Sequence, residues 1–348
     1  MATPITLALD AMGGDDAPQM VIKGANIARE RFPHVQFLMF GNKNTIEPLV
    51  NKYNGLSAVS EIIDTGEHVV TNEQTVSTAL RNGKKTSMWK AIEAVKLGKA
   101  DSVVSAGNTG VLMAMSKLLL RPLKGVHRPA ICSFFPTRVG ESVMLDLGAN
   151  IECNADHLVQ FGIMGEIFAR TVLGLPNPSV GVLNVGSEDH KGKEYLKDAA
   201  TKLKEGGKVN FFGFIEGDDI AKGTTDVVVT DGFTGNIALK TAEGVGALYG
   251  KFLSQTIRHS VFAKIGYMFS RSAFKKLRSR LDPRRYNGAV FLGLNGISIK
   301  SHGGTDALGF ATAMGVAVNL TDHHFLEELS KQLTENEKDK ELKVAASS

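Results

Sequence analysis

Cysteine is nearly absent from this chain, with two residues in 348, Cys132 and Cys153. They lack metal-ligand spacing, which argues against a disulfide framework and a thiolate zinc site and points to a reducing compartment. No H-E-x-x-H, C-x-x-C or G-x-S-x-G occurs, so neither a hydrolytic zinc centre nor a serine nucleophile elbow is expected. The neighbouring His323 and His324 cannot both face one metal ion. A Walker A sequence is missing as well. Gly244 and Gly246, the nearest approach to a dinucleotide fingerprint, lie inside a helical pattern with Tyr249 where a third glycine belongs. No apolar run reaches the roughly 20 residues that cross a bilayer, and no signal peptide precedes the first strand. The expectation is a cytosolic protein without a metal centre.

What remains is ordinary in composition and unusual in arrangement. Hydrophobic residues make up 43% and charged residues 22%, as in a soluble globular protein able to bury a large core. Glycine is somewhat abundant at 37 residues, as expected where strand ends turn sharply or approach a ligand. Buried-strand patterns alternate with amphipathic helical ones: ITLALD, VQFLMFG, EIIDTGEHV, DSVVS and SVGVLNV are the strands, with helices such as 86–98 and 155–173 between them. AICSFFPT with SVMLDLGAN, and VNFFGFIEG with DVVVTDG, add two further pairs. This alternation predicts a Rossmann-like α/β protein, a mostly parallel sheet covered on both faces. Residues 1–330 read as one α/β domain, and 331–348 as a polar, disordered tail.

Ligands of such sheets bind at the carboxyl ends of strands. Four strand-end loops here are rich in small residues. DAMGGDDAP brings Asp10, Gly13 and Gly14; SAGNTG brings Ser105, Gly107, Asn108, Thr109 and Gly110; DGFTGN brings Asp231, Thr234, Gly235 and Asn236; SHGG brings His302. Loops opening a helix aim backbone N–H groups at an anion. The same residues also suit plain helix caps, and His302 suits a brace for its turn. The loop NVGSEDHKGK presents Lys191 between His190 and Gly192, beside the acids Glu188 and Asp189. Asp146, in DLGAN, reads as a buried carboxylate that holds neighbouring backbone N–H groups or lines the site.

Residues 237–285 leave the alternating pattern for a helical hairpin. Its apolar tip holds Val261, Phe262, Ile265 and Phe269, beside a basic run with Arg271, Lys275, Lys276 and Arg278. An apolar tip with basic neighbours fits contact with an anionic membrane surface. A helix pair packed on the core or on a second subunit fits it too, and the basic run also fits an acidic protein. Nucleic acid is not expected, since no reader motif appears.

Taken in order, LDAMGGDDAP, SAGNTG, MLDLGAN, NVGSEDHKGKE, VVTDGFTGN and NGAVFLGLNGISIKSHG closely resemble the bacterial acyl-ACP:phosphate acyltransferases of phospholipid synthesis. The likeness extends to about residue 320, with Val111 and Phe291 as small departures. It implies a three-layer α/β/α fold of the phosphotransacetylase and isocitrate dehydrogenase type, a homodimer, and no organic cofactor. It implies reversible transfer of a long-chain acyl group from acyl carrier protein (ACP) to inorganic phosphate. A membrane glycerol-3-phosphate acyltransferase is the implied partner, and the hairpin the implied contact with the inner face of the cell membrane. The family's lysine and asparagine fall on Lys191 and Asn236, the two expected catalytic residues.

The chemistry matches what the sequence lacks. Phosphate is itself the nucleophile, so no serine or cysteine pair is needed for a covalent acyl-enzyme. The departing thiol has a pKa near ~8.5 and needs little acid help. The remaining tasks are to hold an anion, for Lys191, and to donate to the carbonyl oxygen, for Asn236. A phosphotransacetylase acting on acyl-CoA and a non-catalytic scaffold for ACP at the membrane are the alternatives; a metal-dependent decarboxylating dehydrogenase lacks its carboxylate cluster.

Overall fold

The computed structural model describes residues 4–66, 75–280 and 282–335. Among the described residues eleven strands form one sheet: β1 (Ile5–Asp10), β2 (Val35–Gly41), β3 (Ser60–Asp64), β4 (Ser102–Ser105), β5 (Ala130–Pro136), β6 (Glu141–Leu145), β7 (Ser179–Leu183), β8 (Asn210–Ile215), β9 (Val227–Val229), β10 (Ala289–Leu292) and β11 (Ile297–Lys300). Their spatial order is β3-β2-β1-β4-β11-β10-β5-β6-β9-β7-β8. Neighbours are parallel except at β11–β10, β10–β5 and β5–β6.

Those antiparallel pairings divide the sheet into two halves that run in opposite directions. β1, β4 and β11 share one direction, and β6, β7 and β9 share the reverse. The loops that leave β1, β4 and β11 therefore emerge at one edge of the sheet, and those that leave β6, β7 and β9 at the other.

Both faces are buried, as the apolar runs predict. Leu7, Leu9, Val104, Leu145, Val227 and Val229 join the core on one face, and Ala8, Val103, Met144 and Val228 join the core on the other. The helices Gln19–Arg31, Ala155–Leu173, Glu194–Gly206 and Ala307–Asp322 cover the first face; Ser87–Lys96 and Thr109–Leu120 cover the second. Ala155–Leu173 shows how sequence sets such an element. Asn154 caps it by accepting from His157 N at 2.9 Å, His157 returns the bond at 3.2 Å, and Gly174 ends it in the left-handed region.

The sequence expectation needs correction at two places. The stretch AVFLGLNGISIK, read as one strand region, is two antiparallel strands, β10 and β11, with the turn at Asn295 and Gly296. The polar tail begins later than residue 331: residues 325–335 are helical, and Phe325, Leu329 and Leu333 are buried in the core. Leucines at this spacing share a helix face, and burying it outweighs the polar composition around them. The rest of the expected tail lies outside the described residues.

The hairpin starts earlier than expected. The helix Gly232–His259 begins at the end of β9 and buries only Gly232 and Gly235, and Val261–Arg280 returns beside it. Phe233, Ile237, Val245, Leu248, Tyr249 and Phe252 form an exposed apolar stripe along the first helix.

Candidate active site

Lys191 and Asn236 come to the same edge of the sheet, on neighbouring strand ends. β9 leads through Thr230 to Asp231, whose carboxylate caps the helix Gly232–His259 by accepting from Thr234 N at 2.8 Å and Thr234 Oγ1 at 2.9 Å. Thr234 and Gly235 are thus parts of a capped helix start, and Asn236 follows in its first turns. Asn236 is half-buried, and among the described residues its amide forms no hydrogen bond. A Cβ built on Gly148, in the loop after β6, would stand 3.1 Å from Asn236 Nδ2. Gly148 also has a φ of 134°, so the close approach and the backbone both call for glycine.

Lys191 sits in the loop after β7. Asn184 Nδ2 donates to the Lys191 carbonyl at 3.1 Å and folds the loop back on its strand. The Lys191 side chain is 44% exposed, and its ammonium meets Glu188 Oε1 at 2.8 Å. That contact, with help from Glu216, raises the lysine above its ordinary value, so it is cationic at neutral pH. Tyr195, a turn further on, donates its hydroxyl to Asp231 Oδ2 at 3.1 Å and ties the Lys191 loop to the Asn236 helix. Burial and the Asp231 charge push the Tyr195 phenol up to about 12, so it remains a donor across the working range.

Asp146 underlies this edge as a structural group. Its Oδ1 accepts from the backbone of Ile131 at 2.9 Å, Gly148 at 3.2 Å and Ala149 at 3.0 Å. Its Oδ2 accepts from Asn150 N at 2.7 Å and Asn150 Nδ2 at 2.8 Å. Gly232 N then donates to Asn150 O at 2.8 Å, so the loop that Asp146 shapes supports the start of the Asn236 helix. The nearby Cys153 thiol is pushed up to about 12 by burial and by Asp146 and Asp231, which removes it as a nucleophile.

The remaining expected ligand-binding residues lie at the opposite edge. Asp10 is buried at the end of β1, where Ser87 and Ser105 donate to its two oxygens, each at 2.6 Å. Burial raises its pKa against those bonds. Gly13 leaves no room for a Cβ between Asp10 Oδ2 and Gly107 N. Gly14 packs near Gly303, whose carbonyl accepts from Asp15 N at 3.0 Å. Asn108 is the plain cap that its sequence allowed, accepting from Val111 N at 3.0 Å; Thr109 and Gly110 are exposed in the first turn. His302 braces its turn, accepting from Gly304 N at 3.2 Å.

The expected single site is therefore divided. Among the described residues no side-chain hydrogen bond or ion pair joins Asp10, Ser105, Asn108 or His302 to Lys191, Asp231, Thr234 or Asn236. The reason is the reversal of strand direction across β10 and β5, which no local sequence pattern carries. Sequence reading also passed over Ser87, Tyr195 as a polar link, and Lys300. An open groove of about 780 Å³ lined by Leu38, Phe40, Ile63 and Lys90 contains none of the expected site residues.

At the hairpin, Phe262 is 86% and Phe269 80% exposed, with Val261 and Ile265 exposed beside them. Arg271, Lys275 and Lys276 are exposed; the side chain of Arg278 lies outside the described residues. Among the described residues no helix is long and apolar enough to cross a membrane.

The model of a family described as fatty acid synthesis protein matches residues 5–328. A phosphate acyltransferase of Rhodospirillum centenum is 58% identical over 334 residues, covering 96% of this chain and 94% of that protein. One from Paramagnetospirillum magneticum is 56% identical over 333 residues, covering 95% of each. Among solved structures, a phosphotransacetylase from Streptococcus pyogenes superposes with a TM-score of 0.63 at 15% identity, over 93% of this chain and 94% of that one. A phosphotransacetylase from Staphylococcus aureus gives 0.61 at 14% identity with the same coverage. These two likenesses establish the fold.

Proposed function

The chain belongs to the fatty acid synthesis protein family, and from that premise we infer that it is a phosphate acyltransferase, moving an acyl group from a thioester donor to inorganic phosphate. The donor is acyl-ACP carrying a long chain, and the product is an acyl phosphate for phosphatidic acid and phospholipid synthesis.

The observation that supports the site assignment is the half-buried amide of Asn236, without a hydrogen bond among the described residues, on the same edge as the Lys191 ammonium and linked to its loop by the Tyr195–Asp231 bond. A phosphate oxygen attacks the thioester carbonyl carbon, and the carbonyl oxygen gains the negative charge. Asn236 Nδ2 donates to that oxygen, and Lys191 offsets the charge of the phosphate. Collapse of the intermediate re-forms the carbonyl and breaks the C–S bond. The sulfur leaves as thiolate and takes a proton from solvent. No side chain is acylated at any step.

The hairpin serves assembly and location. The apolar stripe from Phe233 to Phe252 suits a second copy of the chain as cover. The tip at Val261, Phe262, Ile265 and Phe269 suits insertion at the inner face of the cell membrane, next to a glycerol-3-phosphate acyltransferase that consumes the product. Arg271, Lys275, Lys276 and Arg278 suit docking of acidic ACP, chiefly by steering.

The test is thiol release from palmitoyl-ACP and palmitoyl-CoA with and without phosphate, trapping acyl phosphate with hydroxylamine. Phosphate-dependent release and trapped product from the ACP donor are expected. Equal or better use of the CoA donor would move the assignment to a phosphotransacetylase. No release from either donor by folded protein would refute the enzyme.

A further inference from the structure

Asn184 is the first residue beyond β7 and is 8% exposed. Its backbone N–H donates to Ile215 O at 2.9 Å, which fixes it to the end of β8. Its side chain reaches along the loop, and Nδ2 donates to the Lys191 carbonyl at 3.1 Å. Only the nitrogen of the amide can donate to a carbonyl, and that sets its orientation. Oδ1 then lies against Gly192, buried and with no hydrogen-bond partner among the described residues. A Cβ on Gly192 would collide with that oxygen, and a φ of 88° there also calls for glycine.

The empty acceptor separates two roles for this side chain. An amide kept for stability pairs both of its ends, because a buried acceptor without a donor loses its hydration and gains nothing in return. An apolar side chain of similar shape escapes that loss, and in an exposed loop the released Lys191 carbonyl meets water. What the amide supplies, and an apolar residue cannot, is the hold on Lys191.

The rest of the lysine is seated as closely. Lys191 N donates to Glu188 O at 3.0 Å. A Cβ on the buried Gly186 would collide with Lys191 Cδ and stand 2.8 Å from Glu188 Oε2 and 3.2 Å from Lys191 Nζ. The lysine stem therefore lies across Gly186, whose own φ is not in the left-handed region and makes no demand for glycine. Lysine carries its charge on a flexible four-carbon stem. A carbonyl fixed at its root and a glycine seat beneath its stem narrow the positions open to the ammonium.

We propose that Asn184 is a positioning residue for the transfer, which together with the Gly186 seat sets where the Lys191 ammonium stands to meet phosphate. The assignment rests on the reading above, in which Lys191 offsets the phosphate charge.

The test is Asn184→Leu, read by its midpoint in denaturant and by separate KM values for inorganic phosphate and palmitoyl-ACP. The midpoint stays or rises, the KM for phosphate rises about fivefold or more, and the KM for the acyl donor is unchanged. In a Lys191→Ala background the same substitution adds no further change, since it acts only through the lysine. Asn184→Ala gives the same rise in KM and carries the test should the leucine variant fail to fold. Gly186→Ala, which displaces the stem and leaves the buried amide in place, raises the phosphate KM as well. A lower midpoint with an unchanged phosphate KM would mark a purely structural residue and overturn the proposal. An equal rise in both KM values, or an effect of full size in the Lys191→Ala background, also overturns it. If Lys191→Ala itself leaves the phosphate KM unchanged, the underlying reading fails and takes the proposal with it. If Lys191→Ala raises that KM and the Asn184 variants do not, the reading stands and the proposal alone falls.

Discussion

The Tyr195 hydroxyl donates to Asp231 Oδ2 at 3.1 Å, and through this bond the loop that carries Lys191 is fastened to the helix that carries Asn236. The two residues belong to different strand–helix units and have no backbone pairing in common. Apart from that bond, the exposed Lys191 loop is held by Asn184 at its carbonyl and by its own turn, in which Lys191 N donates to Glu188 O at 3.0 Å.

Tyr195→Phe therefore lowers kcat about five- to tenfold, the scale of one hydrogen bond of roughly 1 kcal/mol. Asp231 keeps its two bonds from Thr234, so the helix cap survives and the fold is little affected. Steady-state kinetics with a thermal melt check this; unchanged turnover would show that the bond does not position the site.

On the proposed mechanism Glu188 and phosphate compete for one ammonium. Lys191 meets Glu188 Oε1 at 2.8 Å, and an incoming phosphate must displace or share that contact. Glu188→Gln leaves Lys191 cationic, because its ordinary value is already far above neutral. The KM for phosphate falls several-fold at low ionic strength, and the advantage shrinks as salt screens the exposed pair. Initial rates against phosphate at two salt concentrations decide it; a higher KM would mean that Glu188 aims the lysine rather than occupying it.

Asp146 is the shared acceptor for four residues at this edge. Asp146→Ala leaves the donors of Ile131, Gly148, Ala149 and Asn150 without their shared acceptor. The expected loss of stability is on the order of 3 kcal/mol or more, read as a lower midpoint in denaturant. A change within the error of the measurement would refute the structural role.

Phe262→Asp and Phe269→Asp test the hairpin tip. Each places a charge where an exposed ring stands, so sedimentation of the protein with anionic liposomes falls while soluble transfer activity is retained. Failure of the wild-type protein to sediment would contradict membrane contact.

The sequence carried most of the local structure. The helix 155–173 was legible to its ends because an asparagine cap, an apolar stripe and a terminal glycine agree. The small-residue loops were legible because helix starts after strands need them. Strand direction was not legible, since the net reversal takes three successive antiparallel pairings, β11–β10, β10–β5 and β5–β6, and the middle one joins strands far apart in the chain. Hence the loops read as one site leave opposite edges. Lys300 was missed because a charged residue at a strand end looks solvated, and only the packing of the loop at 105–110 buries it. Residues 325–335 were missed for the converse reason: Leu329 and Leu333 supply an inward face within a polar composition.

On the proposed mechanism Lys191 and Asn236 act together on the thioester and the phosphate. Phosphate-dependent release of thiol from palmitoyl-ACP by wild-type, Lys191→Ala and Asn236→Ala proteins, each shown to be folded, tests it most directly. Loss of the Asn236 donor lowers kcat on the order of a hundredfold or more, and loss of the Lys191 charge raises the KM for phosphate and lowers kcat with it. Near-normal turnover in either variant would remove that residue from the mechanism, and in both would move the reaction away from this edge of the sheet.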